Sequence, residues 1–152
     1  MASLTEAQRA SWRQMMLMAF QLSGELGRQL ATATGLSYQD YLVLAVLQAR
    51  DDGRARAFEL GDELGWEKSR VSHHVARMAQ RGHVRREPVA TDGRGAYIRI
   101  TTKGRTALAA AAPAHDAVVR RHFLANVDRD ELEVIGDVAG RVLASLGTSA
   151  AR

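Results

Sequence analysis

The chain reads as mainly α with a small β-hairpin wing (α+β), a winged helix-turn-helix flanked by long helices at both ends. Three observations predict this. Apolar residues recur at helical spacing near both termini; between them a short helix, a second helix, a glycine break and an alternating strand pair follow one another from Glu59 to Gly104; and positive charge is concentrated there. Ten arginines and lysines face three carboxylates between Trp66 and Arg105, a local +7 in a chain whose net charge is +4. Such a concentration is the electrostatic footprint of a module that neutralises phosphates.

In order along the chain, Trp12, Met15, Ala19, Leu22, Leu26 and Leu30 alternate spacings of three and four, predicting a long helix that ends before Gly35. Ser37 is a cap for a second helix whose buried side is Tyr41, Leu44, Ala45 and Leu47, with Asp51, Asp52 and Gly53 as the following loop. Arg54 to Ala57 leave room for a short strand only. Phe58 to Leu64 form a brief helix closed by Gly65, and Trp66 to Arg81 form the next, with Val71, Val75 and Met78 marking its core side and Gly82 stopping it. Val84–Val89 and Ala96–Ile100 then alternate around Thr91–Gly95 as two strands, the wing, with Pro88 expected on a free strand edge. After Thr101, Leu108, Val118, Val119 and Phe123 mark another helix, which Pro113 should kink or break. Asp128 caps a last helix with a Leu132, Ile135, Val138, Val142 and Leu146 stripe, and the tail from Gly147 should fray.

At 152 residues the chain is expected to be one domain, 1–152, with 1–34 and 106–147 as dimerisation helices and 37–105 as the winged region. The terminal stripes either cover the monomer's own core or pack against a symmetry mate; their length favours the mate. No cysteine is present, which removes disulfides, thiolate zinc sites and thiol nucleophiles. The polar start and the lack of a long apolar run point to a cytoplasmic protein. No phosphate-binding loop, nucleophile elbow or zinc-protease motif occurs, so the expectation is no enzyme, no cofactor and no metal. His115 and His122, two turns apart, lack a third ligand.

Placing Val71, Val75 and Met78 inward puts Ser69, His73 and Arg77 on the opposite face of their helix, with Arg70 and Ser72 on its shoulders and Lys68 near its start. Such a helix fits the DNA major groove, where arginine donates two bonds to guanine. Arg70 is the candidate base reader, Lys68, Ser72 and Arg77 the phosphate contacts, and His73 either. A solvated amphipathic helix is the plain alternative. His74 falls between shoulder and core, and structural packing suits it better than a base contact. Arg94, between Gly93 and Gly95, is placed to carry a cation into a minor groove.

The ordered set from Glu59 to Gly104 (Val71-Ser72 ahead of Val75 and Met78, then Gly82, Asp92-Gly93-Arg94, and Ile100-Thr101 before Gly104) resembles the MarR family of bacterial transcriptional regulators. The resemblance implies a homodimer with interlocked terminal helices, reading palindromic promoter DNA through Lys68, Ser69, Arg70, Ser72, His73, Arg77 and Arg94. Many members carry arginine where His73 stands. It also implies a ligand-responsive repressor with a small aromatic effector, for which Trp12, Met16, Phe20, Tyr38, Tyr41 and His115 are candidate lining residues. Without cysteine, a thiol-oxidation switch is excluded. The competing reading is a winged-helix protein-interaction module without specific DNA binding.

Overall fold

The computed structural model describes residues 3–88 and 96–147, so the candidate at Arg94 and the tail beyond Gly147 lie outside the described residues. The chain runs α1 (Glu6–Thr34), α2 (Tyr38–Gln48), β1 (Arg54–Arg56), α3 (Ala57–Leu64), α4 (Lys68–Gln80), β2 (Val84–Pro88), β3 (Ala96–Ile100), α5 (Thr102–His122), a 3₁₀ turn (Leu124–Asn126) and α6 (Arg129–Ser145).

Local chemistry sets most of these boundaries. Thr5 and Gln8 form a capping box at the start of α1, Ser37 and Asp40 one at α2, and Asp128 and Glu131 one at α6; each satisfies backbone N–H groups that the first helical turn leaves without partners. Gly65 ends α3 at φ 63°, and Gly82 turns the chain out of α4 at φ 77°, a left-handed geometry that a Cβ would strain. Between them α3, Gly65 and α4 make the helix-turn-helix.

The sheet has the order β1-β3-β2 and is antiparallel throughout. Ala55 pairs with Ile98 and Val84 with Ile100, so their side chains share the face that closes over the helices. Pro88 pairs with Ala96 on β2, an outer strand of the sheet, where a missing N–H donor is tolerated. One core holds the assembly together. Leu30 of α1, Leu44 and Leu47 of α2, Leu60 of α3 and Met78 of α4 are all fully buried and meet Ile98 and Ile100 from the sheet.

Pro113, expected to kink or break its helix, does not break it. α5 runs from Thr102 to His122 without a break, with Pro113 inside it. The alanines from Ala109 to Ala112 have the highest helix propensity of any residue, and α5 packs along both α1 and α2, so tertiary contact and propensity together outweigh one forgone backbone bond.

Where α5 begins, Thr101 accepts from the Gly104 amide at 3.0 Å and donates to the Gly82 carbonyl at 2.6 Å, tying the end of β3 to the turn after α4. Gly104 sits against that turn so closely that a Cβ would overlap the His83 carbonyl oxygen. Gly104→Ala is therefore expected to destabilise by about 1–3 kcal/mol, the cost of overpacking a filled site, readable as a lowered urea midpoint with an unchanged slope.

The two ends of the chain behave differently from the middle. No residue of α6 is buried, and Ile135, Val138 and Val142 all lie open on its apolar stripe. In the first half of α1, Trp12 and Phe20 are 55% and 70% exposed. Among the described residues, no helix is long and apolar enough to cross a membrane.

Candidate nucleic-acid interface

α4 presents its apolar side inward. Val71, His74, Val75 and Met78 are buried, and their spacing leaves Lys68, Ser69, Arg70, Ser72, His73 and Arg77 exposed along the rest of the helix. The six candidate α4 residues thus stand on one continuous solvent-facing surface. Phe58, at the start of α3, is also exposed beside it.

Charge on this module is distributed less evenly than composition suggests. Arg81 spans the Asp40 carboxylate with two bonds, of 2.9 and 2.6 Å. Glu87 accepts from Arg99 at 2.8 Å and from Arg85 at 2.7 Å, and these guanidinium contacts hold its carboxyl below the usual range. Arg99 also donates to the Asp52 carbonyl, and Arg54 pairs with the Asp52 side chain at 2.6 Å. Among the described residues, Lys68, Arg70 and Arg77 have no carboxylate partner, so α4 carries unneutralised positive charge on its exposed face.

Beneath α4 lies a polar anchor that sequence spacing did not reveal. Asp40 is 1% exposed and already serves as the N3 member of the α2 capping box, receiving the Ser37 amide at 3.1 Å. His74 Nε2 lies 3.0 Å from Asp40 Oδ1, an ion-pair distance reached without good hydrogen-bond alignment. Burial alone would raise the Asp40 pKa, but the His74 ring, the Arg81 guanidinium and the Ser37 contacts outweigh it and hold the carboxyl well below the ordinary carboxylate range. On its other side, His74 Nδ1 lies 3.3 Å from Arg77 Nη2; a guanidinium only donates, so this nitrogen is the acceptor and the ring proton sits on Nε2, toward Asp40. One carboxylate therefore joins the start of α2 to the middle and end of α4. His74 is a structural residue.

Two aromatic contacts complete the site. The Trp66 ring meets His74 edge-on at 5.2 Å, and the Arg70 guanidinium carbon lies 4.4 Å from the Trp66 ring centroid. On the sheet, Tyr97 is flanked by Arg54 and Arg56 at 4.3 and 4.6 Å.

The six candidate effector residues do not assemble as a group. Tyr41 stacks on His115 with ring centroids 4.6 Å apart where α2 meets α5, and Tyr38 is half-buried near Gly27 of α1. Met16 is half-buried, while Trp12 and Phe20 point into solvent from the first half of α1. Among the described residues no group of three or more His, Asp or Glu is arranged to hold a metal ion.

Residues 34–95, from the end of α1 to just before β3, match the MarR family profile. Over the whole chain the likeness is closer still: Sco3205 of Streptomyces coelicolor, a MarR family transcriptional regulator solved in complex with DNA, is 30% identical, with 99% of this chain and 94% of that one covered at a TM-score of 0.90. The chain belongs to the MarR family. A second Streptomyces coelicolor member, AbsC, also a transcriptional regulator, is 30% identical over 95% of this chain and 97% of its own, at a TM-score of 0.84. The transcriptional regulator HosA of Escherichia coli O127:H6 is 34% identical over 76 residues, and the match spans 56% of its length. All three relatives are transcriptional regulators.

Proposed function

We propose that this MarR-family chain is a sequence-specific DNA-binding transcriptional regulator that acts as a homodimer, with α4 in the major groove of each half of a palindromic operator. The observation that carries the reading is the α4 surface: three cations without carboxylate partners, two serines and a histidine on a helix whose opposite side is locked into the core. Groove-reading helices need short hydrogen-bonding side chains and cations together on one exposed face. That Sco3205 was solved with DNA lends the same support.

Dimerisation follows from the bare apolar faces of α1 and α6, which a second copy would remove from water at roughly 25 cal/mol per Å² of apolar surface. A two-fold pair holds its two α4 helices at one separation, and half-sites one DNA turn apart require ~34–36 Å. A ligand that changed this separation would release the operator. The stacked Tyr41–His115 pair with Tyr38, at the junction of α2 with α5, is the place where an aromatic compound would act.

The test is a gel shift with the DNA upstream of the protein's own coding region in excess nonspecific competitor. A discrete complex is expected. Arg70→Ala should cut discrimination between that DNA and competitor by about 10–100-fold, since one bidentate base contact is worth ~1–3 kcal/mol. Equal binding to both DNAs by the unmodified protein would sink the reading and favour a protein-contact role for the basic surface.

A further inference from the structure

We propose that Trp66, which lies outside α4 and is itself half-buried, is a specificity-determining positioning residue: it holds the Arg70 guanidinium in the plane needed to read a base. This rests on the DNA-reading function proposed above.

The ring is built in before Arg70 uses it. The Trp66 amide donates to the Gly61 carbonyl at 2.8 Å, closing the turn between α3 and α4. Gly61 makes that closure possible, because a Cβ there would come within 2.9 Å of the Trp66 carbonyl oxygen. The indole packs against the hydrophobic core, and its orientation is set by the His74 ring, 5.2 Å away at an interplanar angle of 76°. His74 is in turn held beside buried Asp40. The platform is therefore tied to α2, α3 and α4 at once.

Arg70 lies four residues further on, one helical turn, and helical side chains lean toward the N-terminus, so its guanidinium falls over the Trp66 ring. Contact through the π face uses none of the five N–H donors. Arg81, Arg85 and Arg99 differ in this respect, since carboxylates occupy their N–H edges. An arginine held over a ring in this way has given up rotamer freedom before DNA arrives, yet its N–H groups are not taken by a carboxylate and stay available for the paired acceptors of guanine. Lysine in the same place would supply charge without a plane.

The experiment compares binding to two duplexes, the protein's own upstream DNA and a shuffled duplex of equal length and composition, in a double-mutant cycle. Trp66→Leu should reduce the affinity ratio between the duplexes on the order of tenfold, Trp66→Phe, which keeps a π face, should restore most of it, and in an Arg70→Ala background Trp66→Leu should change nothing further. Arg70→Lys, which keeps the charge but not the plane, should lose the ratio between the two duplexes. The proposal is overturned if Trp66→Leu weakens both duplexes alike, if its effect persists in the Arg70→Ala background, or if Arg70→Lys discriminates as well as arginine. Those failures occur with an unmodified protein that still discriminates. An unmodified protein that binds both duplexes equally, or neither, overturns the DNA-reading function and this inference with it.

Discussion

Replacing Asp40 by asparagine is expected to destabilise the folded chain by about 2–4 kcal/mol, lowering the thermal midpoint by roughly 5–15 °C at equal protein concentration. The carboxylate is 1% exposed and meets Arg81, His74 and the Ser37 amide together. Asparagine fills the same space but carries no charge, so Arg81 loses its counterion and the His74 ring and Ser37 amide lose a charged acceptor. Arg81 is 42% exposed on its side chain and can turn to water, which keeps the cost below that of a fully enclosed pair. The effect has a defined pH dependence. Asp40 titrates below its ordinary range in the folded chain, so the stabilisation is fully present above the unfolded-state value of about 3.9 and fades as pH falls through the lower, folded-state value. Melting curves of the two proteins should therefore lie far apart at neutral pH and converge in acid. Curves that coincide at pH 7 would remove Asp40 from its structural role.

Val138→Asp on α6 should have the larger functional consequence. In an isolated subunit Val138 is already 41% exposed, and a carboxylate there would alter stability by no more than about 0.5 kcal/mol. In a two-fold interface the same change sets two like charges into an apolar seam and costs several kcal/mol. Sedimentation should then show the mass falling from twice 16.6 kDa to the single-chain value, with affinity for upstream DNA reduced at least a hundredfold because one α4 is left to read alone. An unchanged mass and unchanged affinity would mean that the α6 stripe serves some other purpose.

What could be read from the sequence was mostly what repeats. α1 and α6 carry apolar residues at helical spacing over three or more turns and α4 does so over about two, and the change to alternation at Val84 and Ala96 marks the wing strands. The exposed face of α4 follows directly once Val71, Val75 and Met78 are placed inward. Asp40 was not legible, because its partners His74 and Arg81 lie 34 and 41 residues away and only Ser37 is local. For the same reason the local +7 overstated the free charge of the winged region: Arg81 is paired with Asp40, a carboxylate outside the counted stretch that only the fold brings to it. Trp66 looked like the first residue of a helix and is instead the floor under Arg70. Pro113 leaves α5 unbroken because packing and alanine propensity outweigh the local rule there. The aromatic candidates were gathered by residue type, and type alone does not tell the part of α1 that faces α2 from the part left bare.

The central claim is that two copies of this chain hold two α4 surfaces against one DNA duplex. Sedimentation of a labelled upstream duplex titrated with protein, repeated across a salt series, measures it directly. A complex of two chains per duplex is expected, its log affinity falling linearly with log salt concentration as phosphate counterions are released. A complex of one chain, or an affinity indifferent to salt, would contradict it.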